Sequence, residues 1–546
     1  MSDDLKHECA VAMVVLRKPP SAAGDFGGTK LSLLLEKQHN RGQDGAGAAI
    51  LRASPVPGEE PYWIAKSASA TPLADVLGAI GRRTQSFERI FLGHLRYATF
   101  GKNEAKFCHP FVHESSELAR TLLLAGNFNL TNAAELFESY RSKGGFPASR
   151  ADGYLITELV ARELAEGRSL AEALSATLAA ADGAWTLCGM TGDGWAFATR
   201  DPHGIRPGFC YMDADVVAVA SERPAIQAAF DVPPQAVKEL PPGAVLVVSP
   251  GGEAKTVELC SPKPPPRACA FERIYFSRAN DADIHRERKS LGAALVPQIL
   301  EAAESPMEDV FFSYIPNSAR IAFHGLLERL FDEYGKIRFG EIAVKDAKFR
   351  TFIADAAARR EFYKHVYDVT YGLVRPGKDT LVVLDDSIVR GNTMKNAILP
   401  MLDRLGPKRI VIASSAPPIR YPDCYGIDMS TLGELVAFRA LVNLLGEEAE
   451  QELWRAYGSG ERNPLARLYA MFTEAEYAAE IARLLTPPGM KAKVKVVYQT
   501  INGLYAACPA SSGDWYFTGD YPTPGGYKVL RKALYNYLTH SSERPY

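Results

Sequence analysis

The sequence has little that would place the protein on a membrane or on nucleic acid. Its 546 residues carry 62 Lys+Arg and 64 Asp+Glu, a formal net charge of −2, so no overall positive field attracts nucleic acid or an anionic membrane. No apolar stretch approaches the roughly 18 residues that a membrane span needs. Residues 1–8 are polar, whereas a secretory signal needs an apolar core. We therefore expect a cytoplasmic protein with no membrane or nucleic acid as partner.

Cysteine is also sparse, and no two of the eight cysteines are spaced as C-x-x-C. This spacing argues against the usual zinc and redox dithiol motifs. Scattered thiols in a long chain are typical of a reducing compartment, where most serve as small buried apolar residues. The Walker phosphate-binding motif is absent as well.

The length and the order of apolar segments predict more than one domain. The first half interleaves short strands and helices, which indicates a layered α+β domain. A proline-rich stretch follows and favours extended backbone. Beyond it strands and helices alternate, which predicts an α/β domain with a parallel sheet. The expected boundaries are a first domain over 9–260, a linker over 261–268, a second domain over 269–490 and a C-terminal extension over 491–546.

The clearest chemical pattern is in residues 381–394, where an apolar strand ends in Asp385 and Asp386 and a polar loop leads into a helix. Ligands of open α/β sheets bind at the carboxyl ends of strands. Backbone N–H groups of the loop and the helix dipole suit a phosphate, and Gly391 permits close approach. The two acids suit the hydroxyls of a ribose ring. Asp-Asp alone would more simply be a solvated strand end, but the whole segment is more specific.

This segment resembles the phosphoribosyl diphosphate motif of type I phosphoribosyltransferases. Residues 416–428 narrow the resemblance to amidophosphoribosyltransferases, and residues 269–278, 315–318 and 350–353 are also similar to that family. The resemblance implies that Asp385 and Asp386 hold the ribose and Mg²⁺, directly or through the substrate. It implies that the loop holds the 5′-phosphate, through Ser387, Ile388, Val389, Arg390, Gly391, Asn392 and Thr393.

Two further residues have a binding and a structural interpretation each. The resemblance gives Ser318 a contact with pyrophosphate, while its position before a helix equally suits an N-cap. Arg350 is either a cation in a loop that closes over the substrate or a surface arginine, and the neighbouring Thr-Phe-Ile favours the loop.

The first half resembles class II glutamine amidotransferases, which use an N-terminal nucleophile. The resemblance rests on Cys9 and on residues 38–47, 93–101 and 126–132, followed by an acid at position 152. A lone cysteine before an apolar run is usually a core residue, and only this context changes that interpretation. Residues 200–207 contain Asp, His and Arg but no nucleophile, and Pro and Gly mark them as a structural turn. The implied fold is the four-layer α+β domain of N-terminal nucleophile enzymes.

The resemblance makes Cys9 the nucleophile and its own free α-amine the base. Such an amine has a pKa near 8, which suits proton transfer at neutral pH, and a thiol attacks best when a base takes its proton. Arg96 then binds the carboxylate of glutamine, Asp152 binds its ammonium, and Asn127 stabilises the oxyanion. The mechanism requires Cys9 to be residue one, so we expect autocatalytic removal of residues 1–8 as a propeptide.

Three features of the glutaminase half depart from the family pattern. Ala10–Met13 replaces the commoner Gly-rich start, and Asn40 is an extra residue. Phe128 stands where the family has glycine and where the backbone N–H completes the oxyanion hole. Any residue except proline supplies that donor, but a phenylalanine can change the pocket or require another backbone angle.

Some members of the family carry a [4Fe–4S] cluster on four cysteines. Cys269 matches one ligand position, Asp423 stands at another with Cys424 one residue beyond it, and Cys508 lacks its C-x-x-C partner. Four thiolates are normally required, so we expect no cluster.

The expected function is glutamine-dependent conversion of phosphoribosyl diphosphate to phosphoribosylamine, the first step of purine synthesis, with Mg²⁺ neutralising the pyrophosphate. The family implies a homo-oligomer inhibited by purine nucleotides. Two alternatives remain: an enzyme with an impaired glutaminase that uses free ammonia, and a non-catalytic regulator that binds phosphoribosyl diphosphate or a nucleotide. The retained Cys9 and Asn127 argue against the regulator, which needs no nucleophile.

Overall fold

The first half of the chain folds as two antiparallel sheets covered by helices on both outer sides. The computed structural model describes residues 8–18, 25–53, 58–83, 88–98, 104–261, 263, 265–316, 318–345 and 367–545. The strands of the first half are β1 (Ala10–Leu16), β2 (Gly45–Arg52), β3 (Tyr62–Ser67), β4 (Glu88–Arg96), β5 (Phe111–His113), β6 (Leu122–Leu130), β7 (Gly183–Thr191), β8 (Ala196–Arg200), β9 (Phe209–Met212), β10 (Val216–Ala220), β11 (Lys238–Glu239), β12 (Ala244–Val248) and β13 (Ala254–Glu258). Its helices are α1 (Phe26–Lys37), α2 (Pro72–Gly81), α3 (Ala133–Ser142), α4 (Asp152–Ala165), α5 (Leu170–Ala179) and α6 (Arg223–Phe230).

Within the described ranges, one sheet has the order β11-β9-β10-β1-β4-β2-β3 and the other β13-β12-β8-β7-β6-β5. Side chains of a strand alternate between its two faces. Val11 and Met13 of β1 therefore pack with Leu123 of β6 between the sheets, while Ala12 and the leucines of α1 pack on the outer side. The order helix, sheet, sheet, helix confirms the expected four-layer domain.

The second half forms a parallel sheet with the order β15-β14-β18-β19-β20. The strands are β14 (Val310–Tyr314), β15 (Arg338–Phe339), β16 (Ala343–Lys345), β17 (Tyr367–Val369), β18 (Thr380–Asp385), β19 (Arg409–Ser414) and β20 (Lys493–Tyr498). The helices are α7 (Ala282–Ala294), α8 (Val296–Ala303), α9 (Arg320–Tyr334), α10 (Leu399–Asp403), α11 (Val436–Leu445), α12 (Ala449–Gly458), α13 (Ala466–Tyr469), α14 (Glu474–Leu485), α15 (Ile501–Ala507), α16 (Trp515–Thr518) and α17 (Pro524–Leu538).

Both faces of this sheet are buried, as a parallel sheet requires. Val382 of β18 packs toward α8 and α9, and Leu381 packs on the other side with Ile398. The strand β20 belongs to this sheet, although the sequence analysis assigned it to a separate extension. The polypeptide before Pro400 forms a π-helical turn over Met394–Ile398, which agrees with a proline that lacks an N–H group for the helix.

The remaining C-terminal segment ties the two halves together. Asp182 of the first half accepts hydrogen bonds from the backbone N–H of Gly525, at 2.9 Å, and from Thr523, at 2.5 Å. Lys528 forms a surface ion pair with Glu135 at 3.4 Å. Among the residues that the structure describes, no helix is both long enough and apolar enough to cross a membrane.

Candidate active sites and family

The predicted phosphate loop begins where β18 ends, at the carboxyl edge of the parallel sheet. Asp385 is half-buried and accepts the backbone N–H of Asp386 at 3.0 Å. Asp386 turns inward: it accepts hydrogen bonds from Ser318 and, at 3.0 Å, from Ser387. Burial raises the pKa of the Asp386 carboxyl group, against the effect of these hydroxyl donors. Asp385 is therefore the more accessible of the two acids that the sequence assigned to a ribose.

The contact between Ser318 and Asp386 brings the predicted pyrophosphate residue to this loop. Helix α9 has Ala319 as its N-cap and no side-chain capping hydrogen bond. The capping interpretation of Ser318 was therefore wrong. The other residue with two interpretations, Arg350, lies outside the described residues.

The loop itself offers a phosphate its backbone rather than most of its side chains. Ile388 and Val389 are buried. The guanidinium of Arg390 donates to Glu434 at 2.7 Å and to the backbone oxygen of Asp428 at 3.0 Å. Gly391 has φ +77°, and a Cβ there would lie 2.3 Å from a methyl carbon of Leu485. Gly391 thus provides a left-handed turn, and a side chain there would be strained and would displace Leu485 or the loop.

Two residues that the sequence analysis missed face the same carboxyl edge. Arg288, 3% exposed, donates to the backbone oxygens of Arg273, at 2.8 Å, and Ser277, at 2.7 Å, and its charge lowers the pKa of Asp386. The hydroxyl of Tyr498, at the end of β20, is buried with no hydrogen-bond partner among the described residues. Neither stands in a recognisable motif, and only the fold brings them to this edge.

The glutaminase residues line a separate cavity of about 50 Å³ in the first half. β1, β4 and β6 deliver Cys9, Arg96 and Phe128 from one end of the two sheets, and the start of α4 delivers Asp152. The lining residues are Cys9, Arg96, Tyr97, Phe107, His109, Phe111, Gly126, Phe128, Ala151 and Asp152. The structure thus brings together the predicted nucleophile and the three predicted glutamine-binding residues.

The Cys9 thiol is held by the backbone of Tyr97. The Tyr97 N–H donates to the sulfur at 3.3 Å, and the thiol lies 3.8 Å from the Tyr97 carbonyl. Burial raises the pKa of the Cys9 thiol to about 11, although the Tyr97 N–H and the charge of Arg96 act against it. At neutral pH the thiol is therefore protonated and needs a base to attack an amide.

Asp152 is the residue predicted to bind the ammonium group of glutamine. It lies at the N-terminus of α4, where it accepts the N–H of Gly153 at 3.0 Å. Burial raises its pKa, and Arg544 of the C-terminal tail counters that shift. Asp152 also lines a second, more open cavity that contains Arg544. The tail thus reaches the predicted glutamine site, which its composition did not reveal.

Two stacked histidines form the floor beside the cavity and were not among the predicted residues. The rings of His94 and His109 are 4.0 Å apart. His94 contacts the carbonyl of Gly126 at 3.0 Å, and His109 accepts the N–H of Gly126 at 3.2 Å. Burial lowers the pKa of both rings, for His94 to about 3. They are therefore uncharged at neutral pH and hold the backbone next to Asn127.

Phe128 fits its position without backbone strain. It lies in β6 opposite Trp185, and it is not among the non-glycine residues with positive φ. Its ring packs against His109, with ring centres 5.7 Å apart. The substitution thus narrows the cavity and leaves the strand intact.

A buried cluster of charges lies behind Cys9, at the boundary of the two halves. Glu8 contacts Arg206 and Asn127, the latter at 3.3 Å. Arg41 binds Glu222 at 2.6 Å and also Glu272 of the second half. The sequence analysis interpreted residues 200–207 as a structural turn and therefore missed Arg206. The contacts of the cluster join residues up to 231 positions apart, so local spacing carries no signal of them.

Asn40, the extra residue, belongs to this boundary and not to the glutamine cavity. Its amide donates to Glu222 at 2.9 Å and to the carbonyl of Phe276 at 3.3 Å. The insertion therefore adds a contact between the halves.

The residues at the positions that resemble cluster ligands contact the C-terminal segment. The sulfur of Cys269 is 3.4 Å from the hydroxyl of Tyr516. Asp423 accepts three backbone N–H groups at 2.7–2.9 Å and the indole N–H of Trp515 at 2.8 Å. Within the described part of the chain, no three His, Cys, Asp or Glu side chains are grouped to hold a metal ion. These residues do not fit an iron–sulfur cluster.

Comparison with known proteins agrees with this pair of sites. No family model matches the chain. An amidophosphoribosyltransferase of Methanocaldococcus jannaschii is 30% identical over 390 residues, which are 68% of this chain and 77% of the relative. The chain belongs to the amidophosphoribosyltransferase family. A relative from Bacillus subtilis with the same name is 32% identical over 371 residues, covering 66% of this chain and 72% of the relative.

Solved structures extend the likeness to almost the whole chain. The glutamine phosphoribosyl pyrophosphate amidotransferase of B. subtilis, complexed with ADP and GMP, superposes with a TM-score of 0.69 and 24% identity over 94% of this chain and 97% of that one. A structure described as the allosteric regulatory enzyme of purine biosynthesis gives 0.71 and 25% over 94% and 96%. The family catalyses glutamine-dependent amidation of phosphoribosyl diphosphate, the first step of purine synthesis, and the expected function is thereby confirmed.

Proposed function

We propose that this chain is cut before Cys9 and that its two sites act in sequence, the first releasing ammonia from glutamine and the second adding it to phosphoribosyl diphosphate. The observation that carries the proposal is one cavity that joins Cys9, Arg96, Phe128 and Asp152 in the same chain as a phosphate loop at a sheet edge. A glutaminase alone would leave the phosphate loop without a role, and a phosphoribosyltransferase alone would leave the glutamine cavity without one.

In the glutaminase step, Arg96 and Asp152 bind the carboxylate and ammonium ends of glutamine. The free amine of Cys9 takes the thiol proton, and the sulfur attacks the side-chain amide. Asn127 and the backbone N–H of Phe128 stabilise the oxyanion. Breakdown of the tetrahedral intermediate releases ammonia and leaves a thioester, which water hydrolyses to glutamate.

In the transfer step, ammonia displaces pyrophosphate from C1 of the ribose. Asp385 holds the ribose hydroxyls, and the backbone N–H groups of Ser387–Thr393 hold the 5′-phosphate. Asp386 accepts a hydrogen bond from Ser318, whose hydroxyl would bind the pyrophosphate. Mg²⁺ prefers oxygen ligands and is often carried by substrate phosphates. The ion would be held by Asp385 and Asp386, directly or through the substrate. It would neutralise the leaving group.

Purine nucleotides are the proposed regulators, because the similar B. subtilis enzyme was solved with ADP and GMP. We also propose that the protein is a homo-oligomer and that it holds no iron–sulfur cluster. The ammonia-dependent alternative would apply to a chain that keeps residues 1–8, because the Glu8 carboxyl group then accepts a hydrogen bond from the Asn127 amide.

The test compares glutamine and ammonium chloride as nitrogen donors after the N-terminus has been identified by intact mass. Cys9→Ser should keep the propeptide and lose glutamine-dependent pyrophosphate release, while its ammonia-dependent rate stays within about twofold. Cys260→Ser is the matched control, since the hydrogen-bond partner of that thiol among the described residues is the Gly243 carbonyl, at 3.9 Å. Full glutaminase activity in a protein that retains Met1 would refute the amine as base.

A further inference from the structure

The buried cluster behind Cys9 contains more carboxyl groups than guanidinium groups. Its members are Glu8, Arg41, Arg206, Glu222 and Glu272, and each side chain is at most 5% exposed. A net charge in such a place is costly because water cannot solvate it. With all three carboxyl groups ionised, the cluster would carry one excess negative charge.

Glu8 is the member that relieves this excess. Burial and the neighbouring Glu272 raise the pKa of Glu8, despite its contact with Arg206. Burial acts the same way on Glu272, but Arg41 outweighs it and lowers the pKa of Glu272. One proton therefore stays on Glu8, and two guanidinium groups balance two carboxylates.

Arg206 depends on Glu8 for its only ion pair in the described part of the chain. Its Nε and Nη2 atoms are buried and have no hydrogen-bond partner among those residues. Arg41, in contrast, retains Glu222 and Glu272 whether or not Glu8 is present. Removal of Glu8 thus leaves Arg206 as a fixed buried charge beside the new N-terminus, close enough to influence the Cys9 thiol.

We propose that Arg206 is a positioning residue whose charge keeps the new α-amine of Cys9 unprotonated, so that the amine is ready to act as the base. When Glu8 leaves with its proton, the remaining two arginines and two glutamates are already balanced. A protonated amine would add a third cation to them. This inference rests on the proposed cleavage before Cys9.

Three more charged groups lie next to the cluster: Asp423, Arg96 and Arg288. Asp423 is near Arg206 and is satisfied by four N–H donors. Arg96 lies on the opposite side of Cys9, in the glutamine cavity. Arg288 is near Glu222 and Glu272. With Asp423 and Arg288 included, the buried groups behind Cys9 still match, three guanidinium groups against three carboxyl groups.

The experiment measures how glutamine-dependent turnover of the full-length processed enzyme falls toward low pH. Arg206→Met leaves one guanidinium against two carboxylates and should move the acid midpoint up by about one pH unit. Glu272→Gln leaves two guanidinium groups against one carboxylate and should move the acid midpoint to lower pH. Arg206→Lys should restore the wild-type midpoint. The ammonia-dependent profile, which needs no amine base, should match that of the wild type in all variants.

Arg89→Met is the control for a purely structural loss. Arg89 is also buried, and among the described residues its guanidinium donates to the backbone oxygens of Leu16 at 3.0 Å, Gly194 at 3.1 Å and Ser249 at 2.5 Å. It should reduce stability without moving the midpoint. An unchanged midpoint in Arg206→Met, or an equal shift in Arg89→Met, would overturn the inference while the proposed function stands. A mature chain that retains residues 1–8 would refute both.

If the Arg206→Met protein does not fold, a second measurement on the wild-type enzyme tests the inference. The α-amine of the wild-type mature enzyme is acetylated with acetic anhydride across a pH series, and hydroxylamine then removes any S-acetyl group. Mass analysis of the N-terminal peptide should give half-modification below about pH 7, because an ordinary α-amine has a pKa near 8. A midpoint at or above 8 would contradict the inference.

Discussion

The side-chain carboxyl group of Glu8 lies 3.3 Å from the side-chain amide of Asn127. Glu8, the residue before the nucleophile, therefore binds the side-chain amide that is assigned to the oxyanion. In the uncut chain the α-amine of Cys9 is part of a peptide bond, and Glu8 accepts an N–H of the Asn127 amide, one of the two proposed oxyanion donors. Cleavage would remove both obstacles at once.

Asn127→Ala should lower the glutamine-dependent rate by about 10²–10³-fold, because a preorganised oxyanion donor contributes that much. The ammonia-dependent rate should remain unchanged, since the second site does not use Asn127. Asn132→Ala is the control, because its amide donates to the Ala180 carbonyl at 2.9 Å on the exposed side. The measurement is glutamate formation together with pyrophosphate release. A fall below about fivefold would show that Asn127 has no such role.

Gly391→Ala should damage phosphoribosyl diphosphate binding. The residue has φ +77°, which an L side chain rarely adopts, and an added Cβ would meet a methyl carbon of Leu485 at 2.3 Å, so either the loop or the Leu485 side chain must shift. We expect KM for phosphoribosyl diphosphate to rise at least about tenfold. Gly446→Ala is the matched control: it has φ +66° and nothing within 4 Å of the added Cβ. Gly446→Ala should lower the free energy of unfolding by about 1 kcal/mol through backbone strain, and its KM for phosphoribosyl diphosphate should be unchanged. Equal KM values in the two variants would contradict the assigned role.

The phosphate loop was predictable because its residues are contiguous. Strand, acids, glycine and helix follow one another in residues 381–394, and the parallel sheet followed from the alternation of elements. The inward turn of Asp386 was not predictable, since Ser318 reaches it from 68 positions away. Equally, Arg206 meets Glu8 across 198 positions. Such contacts depend on packing, which no local spacing encodes.

The C-terminal segment shows the same limit. Its strand β20 completes the parallel sheet, and its aromatic residues cover the region around Cys269 and Asp423. Its Gly, Tyr and Pro content indicated turns but not the surface on which it packs. The absence of a C-x-x-C pair predicts that no cluster forms, and this stays a prediction. The contacts of Tyr516 with Cys269 and of Trp515 with Asp423 are visible only in the fold.

Purified protein should contain far less than one iron or sulfide per chain, and exposure to air should not change its activity. Trp515→Phe removes the indole donor to Asp423, which is 2.8 Å away, and should destabilise the protein by about 1–3 kcal/mol because a buried acceptor loses a partner. Tyr535→Phe, at an exposed tyrosine, should cost under about 0.5 kcal/mol. Urea unfolding and metal analysis would check both points. Stoichiometric iron with labile sulfide would contradict the proposed lack of a cluster.

Asp379 should make stability depend on acid pH. It is fully buried at the start of β18 and binds Arg338 at 2.7 Å and Arg375 at 2.8 Å. Burial opposes ionisation, but these hydrogen bonds outweigh it and lower the pKa of Asp379 to about 2. An unfolded aspartate titrates near 4. The stabilisation is therefore complete above pH 4 and is lost as pH falls from about 4 to 2, and this difference is worth about 2 kcal/mol.

Asp379→Asn should thus lower the free energy of unfolding by about 2 kcal/mol at pH 7, with a smaller difference from wild type at pH 3. Asp309→Asn is the control, because Asp309 pairs with Arg375 at 2.8 Å near the surface and such pairs contribute at most about 1 kcal/mol. Urea unfolding at the two pH values measures both variants. A difference for Asp379→Asn that stays constant between pH 7 and pH 3 would mean that lost packing, and not titration, accounts for the effect.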